Sequence, residues 1–158
     1  MTELLPTIRN TVRAVIVKDD KVLLLKKMDG NGPRYALPGG GQDTGESLQD
    51  SLQRECVEEI DSNVTIKQLL HIADYFKIRS TTPETKRHLV EFLFICEIAD
   101  DYQPRMGSHP DKHQVGVAWA DFAELLKFPA FSRFSLLEIT RHLTQFSSQP
   151  IYLGLVKD

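Results

Sequence analysis

Cysteine is scarce: Cys56 and Cys96 are the only two in 158 residues, and neither stands in a CxxC or Cys/His spacing that would hold zinc. A disulfide framework and a structural zinc site are therefore excluded. Both thiols are flanked by apolar residues and read as small buried hydrophobes in a reducing compartment, the cytoplasm. Long apolar runs are missing too. The strongest, Leu89 to Ile98, is interrupted by Glu91 and falls short of the roughly 20 apolar residues that span a bilayer. No charged start followed by an apolar run opens the chain, so neither a membrane span nor a signal peptide is expected. Positive charge is not in surplus either. Nineteen Lys and Arg against 22 Asp and Glu leave a net charge of −3, which disfavours a nucleic-acid polymer as partner, since wrapping its backbone takes several phosphate-neutralising cations. A small anion held through a metal is compatible with that balance.

What is present suits a globular domain: 41% hydrophobic and 26% charged residues are ordinary proportions. The length fits one domain, 1–158, with its own core and no room for a second catalytic unit. Thr11 to Val17 and Lys21 to Lys27 are rich in Val, Ile and Leu and predict a hairpin turning at Asp19-Asp20. A Gly/Asn/Pro cluster over 29–33 breaks the chain before the short run Arg34 to Leu37, and Pro38-Gly39-Gly40-Gly41 reads as a loop. From Ser47 to about Ile60 the residues are helix formers without Gly or Pro, and Ser47 followed by Asp50 offers an N-cap. Val64 to Lys77 and Arg87 to Ile98 predict two longer strands. A polar stretch, Ala99 to Gln114, then leads to a short strand over Val115 to Trp119, a short helix from Asp121 to Leu126 and a long one over Phe134 to Phe146. No repeat or linker interrupts this order, which implies an α/β (α+β) fold with a mixed sheet covered by helices.

Chemistry concentrates in Gly40 to Ile60. Gly40 is followed after five residues by Glu46, and after seven more by Arg54-Glu55-Cys56-Val57-Glu58-Glu59. At about 100° per residue Glu55, Glu58 and Glu59 share one side of the helix. They border the apolar stripe of Leu48, Leu52 and Cys56 rather than opposing it, so mutual repulsion raises their pKa values unless a cation compensates. Clustered carboxylate oxygens suit hard Mg²⁺ or Mn²⁺, which keep positions open for water and substrate phosphate. Arg54 can orient a carboxylate of the cluster, and the glycine run lets backbone come close to a metal or phosphate. A bare triplet of acids is usually a solvated helix face. The fixed offsets joining loop, Glu46, Arg54 and the acids are what solvation alone does not explain.

Gly40 through Glu59 resembles the Nudix box, the signature of the Nudix hydrolase family, and the element order around it resembles that family's α/β/α sandwich. The resemblance implies a hydrolase acting on the phosphoanhydride bond of a nucleoside diphosphate joined to another moiety, such as ADP-ribose or another sugar nucleotide, or of a nucleoside triphosphate. It implies that Glu55, Glu58 and Glu59 bind Mg²⁺ or Mn²⁺ with the Gly40 carbonyl, that Glu55 alternatively serves as base or orienter, and that Glu46 and Arg54 hold the carboxylates in place. It also implies a small-molecule partner and, since many relatives are dimers, a homodimer. Two alternatives stand beside it: a Nudix-like module that senses a nucleotide without cutting it, and an isomerase of an isoprenoid diphosphate, which would need an additional catalytic Cys and Glu.

The chain departs from the pattern at the end of the helix. Asp61 replaces the usual glycine and Ser62 an aliphatic residue, so Asp61 or Asn63 has to take the left-handed conformation that closes the helix. Cys56 replaces an aliphatic and reads as core rather than nucleophile. Outside the box, Arg34, Tyr35, Arg79, Arg87 and Glu91 are the candidate substrate-binding residues, with Tyr75 and His88 as further contacts. Glu91 in an apolar strand is costly unless partnered. Glu84, Asp111 and His113 are candidates for a remote general base, and Trp119 reads as packing.

Overall fold

A computed structural model describes residues 2–79, 81–125 and 151–156. The first hairpin forms as expected: β1 (Glu3–Lys18) pairs antiparallel with β2 (Lys21–Asp29) through Val17 and Val22. Its two-residue turn places both Asp19 and Asp20 at positive φ, 51° and 60°, the backbone twist that matches a tight hairpin. β1 begins well before Thr11. Its outer part runs parallel to β6 (Thr85–Glu97), with an irregularity between Leu4 and Ile8. Pro6 falls inside that irregularity, where its missing N–H costs no ladder bond.

The sheet order is β3-β2-β1-β6-β5-β8, with β4 paired to β1 and β7 to β2. Here β3 is Gly32–Ala36, β4 is Gly39–Gly41, β5 is Thr65–Arg79, β7 is Gln114–Asp121 and β8 is Tyr152–Val156. The β1–β6 and β5–β8 pairs are parallel and the rest antiparallel, so the sheet is mixed as expected. Two corrections follow. The glycines read as a loop form β4, because pairing of Gly39 to Gly41 with Thr11 to Arg13 uses backbone alone and needs no strand-forming side chain. β8 was not legible, since its five residues include Gly154 and stand apart from any alternating run. The long helix expected over 134–146 lies outside the described residues.

Two apolar clusters lie on opposite sides of β1. On one side Val12, Ala14 and Ile16 pack with Leu52, Cys56 and Ile60 of α1 (Leu48–Ile60), where Trp119 also packs as expected. On the other, Val15, Leu24 and Leu93 pack with Leu125 of α2 (Phe122–Leu125). Among the described residues no helix is long and apolar enough to cross a membrane. Both cysteines are free and buried.

α1 is fastened at each end. At its start the Asp50 N–H donates to Ser47 Oγ at 3.0 Å and the Ser47 N–H to Asp50 Oδ2 at 3.1 Å, a reciprocal box that satisfies two otherwise orphaned donors. At its finish Asp61 takes the left-handed conformation, φ 52° and ψ 42°, and the 102–114 segment supplies donors to the last carbonyls. Tyr102 Oη donates to Ile60 O at 2.8 Å, the Gly107 N–H to Glu59 O and the His109 N–H to Glu58 O, each at 3.1 Å. Arg105 binds Asp61 twice, Nε to Oδ2 at 2.6 Å and Nη2 to the carbonyl at 3.1 Å.

Left-handed backbone strains Asp61 but not glycine, while the exposed Arg105 pair contributes little. Asp61→Gly is expected to stay within about 0.5 kcal/mol of the parent as the two effects offset, and Asp61→Ala to lose about 1 kcal/mol. Urea unfolding of both variants checks this, and equal losses would show that the backbone conformation carries no strain.

Candidate active site

Arg54 is the centre of the site. Its Nε donates to Glu46 Oε1 at 2.5 Å and its Nη2 to Glu46 Oε2 at 2.9 Å, a two-pronged pair in which guanidinium and carboxylate geometries match. Nη1 reaches Glu55 Oε1 at 2.9 Å and Glu58 Oε2 at 3.5 Å, and Nη2 the Gly41 carbonyl at 3.0 Å. Glu46 also accepts from Ser51 Oγ at 2.6 Å and from the Asp43 N–H at 3.0 Å. Arg54 first, then Ser51 and Asp43, hold its carboxyl down at about 2. The negative charges around it keep Arg54 firmly protonated.

Glu59 points the other way. It is only 2% exposed, and its Oε2 accepts from the Gly39 N–H at 2.8 Å. That contact depends on glycine: φ at Gly39 is +136°, and a Cβ there would lie 2.0 Å from Val12 O. Burial pushes the Glu59 carboxyl up to about 8, against the pull of the Gly39 N–H and the Arg13 charge. Burial likewise raises Glu55, with Arg54 opposing. Gly40 faces Glu55 so closely that a Cβ would sit 2.5 Å from its Oε1. The three acids border the apolar stripe as expected, but their carboxylates do not converge, and the rise in pKa at Glu55 and Glu59 comes first from burial rather than from the expected mutual repulsion. Among the described residues no three such groups form a ready metal cage, because Glu55 and Glu58 turn to Arg54 while Glu59 turns to Gly39.

Two ion pairs flank the acids. Arg13 Nη1 donates to Gly39 O at 2.6 Å and to Leu37 O at 3.2 Å, and its Nε lies 3.5 Å from Glu91 Oε2. The costly Glu91 is thereby partnered and joined to the site. Lys27 bonds Asp111. The Asp111 N–H donates to Gln114 Oε1 at 2.9 Å, and Gln114 Nε2 donates to Glu59 O at 2.9 Å. Burial disfavours charge on Asp111, but Lys27 outweighs it and the carboxyl is held below its usual range.

Of the three residues considered as a remote base, Asp111 is the one brought to the acids. Glu84 accepts from Thr2 Oγ1 at the β5–β6 turn, and the His113 carbonyl accepts from the Met28 N–H. Arg34 pairs with Asp29 at 3.0 Å and faces Lys27 across the β2–β3 ladder, while Tyr35 packs on the second apolar cluster. Arg79 and Arg87 lie farther out on β5 and β6. His88 lies on the other face of β6, bonded to Asp74 at 2.6 Å. Arg13 and Lys27 were missed because each sits in a strand-like run where a cation looks like surface. Alternation was the available signal: Arg13 shares a strand face with Thr11 and Val15.

The 7–141 segment matches the model of the NUDIX domain. The chain belongs to the Nudix hydrolase family. It is similar to a protein of Methanocaldococcus jannaschii named ADP-ribose pyrophosphatase, 31% identical over 55% of this chain, and spans about half (49%) of that relative's length. A second relative, nucleoside triphosphatase NudI of Escherichia fergusonii, is 28% identical over 58% of this chain and 70% of the relative. Among solved structures, the MutT protein of Methanosarcina mazei Go1 superposes with a TM-score of 0.65 at 16% identity, covering 89% of this chain and 96% of that one. A UDP-X diphosphatase does so with 0.66 at 19% identity, covering 94% and 68%. At these identities the structures show the Nudix fold alone.

The raised Glu59 pKa sets a pH dependence for the metal-free Nudix chain. Folding favours the protonated carboxyl, so its contribution is full below the ordinary 4.5 and is lost as pH rises towards 8. Chemical unfolding in EDTA should show stability falling from pH 5 to 8, on the order of a few kcal/mol. Glu59→Gln should flatten that slope, and an unchanged slope would remove Glu59 as its source.

Proposed function

We propose that this chain is a divalent-metal-dependent hydrolase of a phosphoanhydride bond, acting on a nucleoside diphosphate joined to another moiety or on a nucleoside triphosphate. ADP-ribose is the first candidate, supported by the name of the Methanocaldococcus jannaschii relative; triphosphates are supported by that of NudI. The observation that carries the reading is the buried Glu59 beside Glu55 and Glu58, with Gly40 pressed against the Glu55 carboxylate. Their donors are all hard oxygens, the chemistry Mg²⁺ and Mn²⁺ select. A carboxylate buried with one N–H partner among the described residues and driven towards protonation is a group that a cation relieves. The residues therefore fit such an ion.

Glu55, Glu58, Glu59 and the Gly40 carbonyl would hold it. When bound, a divalent ion neutralises diphosphate charge and makes water a better nucleophile. The protein's share is positioning. Glu46 fixes Arg54, Arg54 fixes Glu55 and Glu58, and the Gly39 N–H fixes Glu59. Arg13 and Lys27, each next to an acid, offer cationic contacts to substrate phosphate. Asp111, ionised and coupled to Glu59 through Gln114, is the base candidate that the fold favours.

The isomerase alternative loses support because Cys96 is buried, donates to the Phe94 carbonyl and has its thiol pushed up to about 12 by burial. The sensing alternative is separated by turnover. Hydrolysis of ADP-ribose, other sugar nucleotides, dinucleoside polyphosphates and nucleoside triphosphates, followed through the phosphomonoester, nucleotide and pyrophosphate products, should require Mg²⁺ or Mn²⁺ and stop with EDTA. Glu58→Gln should lower kcat by about 100-fold or more. Unchanged turnover in that variant would sink the site assignment.

A further inference from the structure

The outer end of β5 alternates strictly, apolar Phe76 and Ile78 against charged Lys77 and Arg79, the pattern of a strand with one face meant for burial. Ladder partners share a sheet face, so the register carries this division across to β6 and β1. One face receives Arg9, Lys77, Arg79 and Arg87; Arg79 and Arg87 have no carboxylate partner among the described residues. The other face is different. Its successive rungs are Asp74 with Val90 and Asn10, Phe76 with His88 and Ile8, and Ile78 with Lys86 and Leu4. β8 adds Leu155 opposite Asp74 and Tyr152 opposite Ile72.

This is the face that carries α1 farther in, where Val12 and Phe92 belong to the cluster under the helix. Beyond those two the cover ends. Leu4, Ile8, Ile78 and Tyr152 are between 51% and 62% exposed, and Phe76 and Leu155 are 37% and 46% exposed. The burial that the alternation calls for is missing. The polar groups among these side chains are taken up by one another. Asp74 accepts from Tyr152 Oη and is bonded to His88 Nε2 at 2.6 Å, and the His88 ring meets that of Phe76 edge-on, with centroids 4.9 Å apart. What is left open is apolar and aromatic with little charge, the composition of an interface core.

We propose that this face is the contact between two copies of the chain, packed sheet against sheet. Its size suits that occupant. A stable interface takes about 800 Å² from each partner, somewhat over half of it apolar, and six large side chains about half open to solvent supply several hundred Å². Its charges choose the orientation. A two-fold axis running across the strands at the Phe76–His88 rung lays the Lys86 rung of one copy on the Asp74 rung of the other, cation over anion, and does so twice. Ile8 also lines an open groove of about 340 Å³ with Asn10 and the 42–46 turn, so the second copy walls that groove on its outer side, next to the Glu46 that fixes Arg54. A membrane surface calls for a basic rim, and Lys86 is the one Lys or Arg on these three rungs. Residues 126–150 are a poorer cover than a second copy, because the chain enters them from Leu125, which packs in the cluster on the opposite face.

The test measures mass in solution and proximity at the axis. Sedimentation equilibrium of the full chain should give twice the 18.0 kDa chain mass, and Lys86→Glu, which sets acid on acid, should raise the dimer dissociation constant about 10-fold. Sheets packed face to face lie about 10 Å apart, within reach of a short bismaleimide, and the chain's own cysteines are buried. The reagent should therefore link Phe76→Cys into a covalent dimer and leave Val115→Cys, at a position 59% exposed on β7, unlinked. A parent that stays monomeric at millimolar concentration overturns the proposal. In that monomer, a Phe76→Cys thiol closed to maleimide would point to cover by residues 126–150, and binding to phosphatidylcholine vesicles to a membrane. A dimer that Lys86→Glu leaves as tight as the parent, or that is not linked through Phe76→Cys, also overturns it, because the two copies then meet through another surface.

Discussion

Three carboxylates within five consecutive residues of one helix repel one another, and the Arg54 guanidinium makes that arrangement tolerable. It bonds Glu46 with two nitrogens and still reaches Glu55, Glu58 and the Gly41 carbonyl. Isolated surface ion pairs contribute little, but this is a half-buried network in which each acid's position depends on the same planar group. Lysine, a point charge with no fork, could not hold the set. Because Glu46 precedes the helix and Gly41 ends β4, the same guanidinium also ties the entrance of α1 to the sheet. The charges that suit a metal and the contacts that hold the helix are one structure.

Glu59 lies outside that network and meets the problem differently. Its side chain is buried against β4, where the Gly39 N–H is its one direct hydrogen-bond donor among the described residues and burial drives it towards the neutral form. The apolar packing of Leu52, Cys56 and Ile60 against β1 forces the helix into that position, so the hydrophobic gain offsets the electrostatic strain at residue 59. A site that holds a cation needs such a mismatch: fully satisfied acids would have no reason to take one up.

How much of this could be read in the sequence depends on where each signal lies. Offsets inside one helix are rigid, so Arg54, Glu55, Glu58 and Glu59 were placed by 3.6-residue periodicity and by resemblance, and Glu46, ahead of the helix, by resemblance alone. The Ser47 cap followed from local chemistry, which also narrowed the left-handed residue closing the helix to Asp61 or Asn63. Arg13 and Lys27 could not be found that way, because their importance comes from strand register and from a loop 84 residues away in sequence in the case of Asp111. β4 escaped for the opposite reason, since three glycines carry no side-chain pattern. The outer arginines Arg79 and Arg87 were legible as candidates. Their isolation from acidic partners was not, since it depends on which residues the β1–β6–β5 register places side by side.

The segment 102–114 shows why polar connections deserve a structural reading before a functional one. As sequence it is a loop with prolines, a glycine and two histidines. In the fold it bonds the carbonyls of Glu58, Glu59 and Ile60, the last acceptors of the helix that carries the acids. Gly107 is essential to that approach, because a Cβ there would lie 2.3 Å from Glu58 O. The segment then turns through Gln114 to deliver Asp111 to Lys27. Residue 59 is therefore where three parts of the chain meet: its side chain on β4, its carbonyl on Gly107 and Gln114, and its own helix between them. The loop that carries Asp111 is thus tied to the helix end that carries the buried Glu59 through backbone and amide hydrogen bonds rather than through any direct contact between their charges.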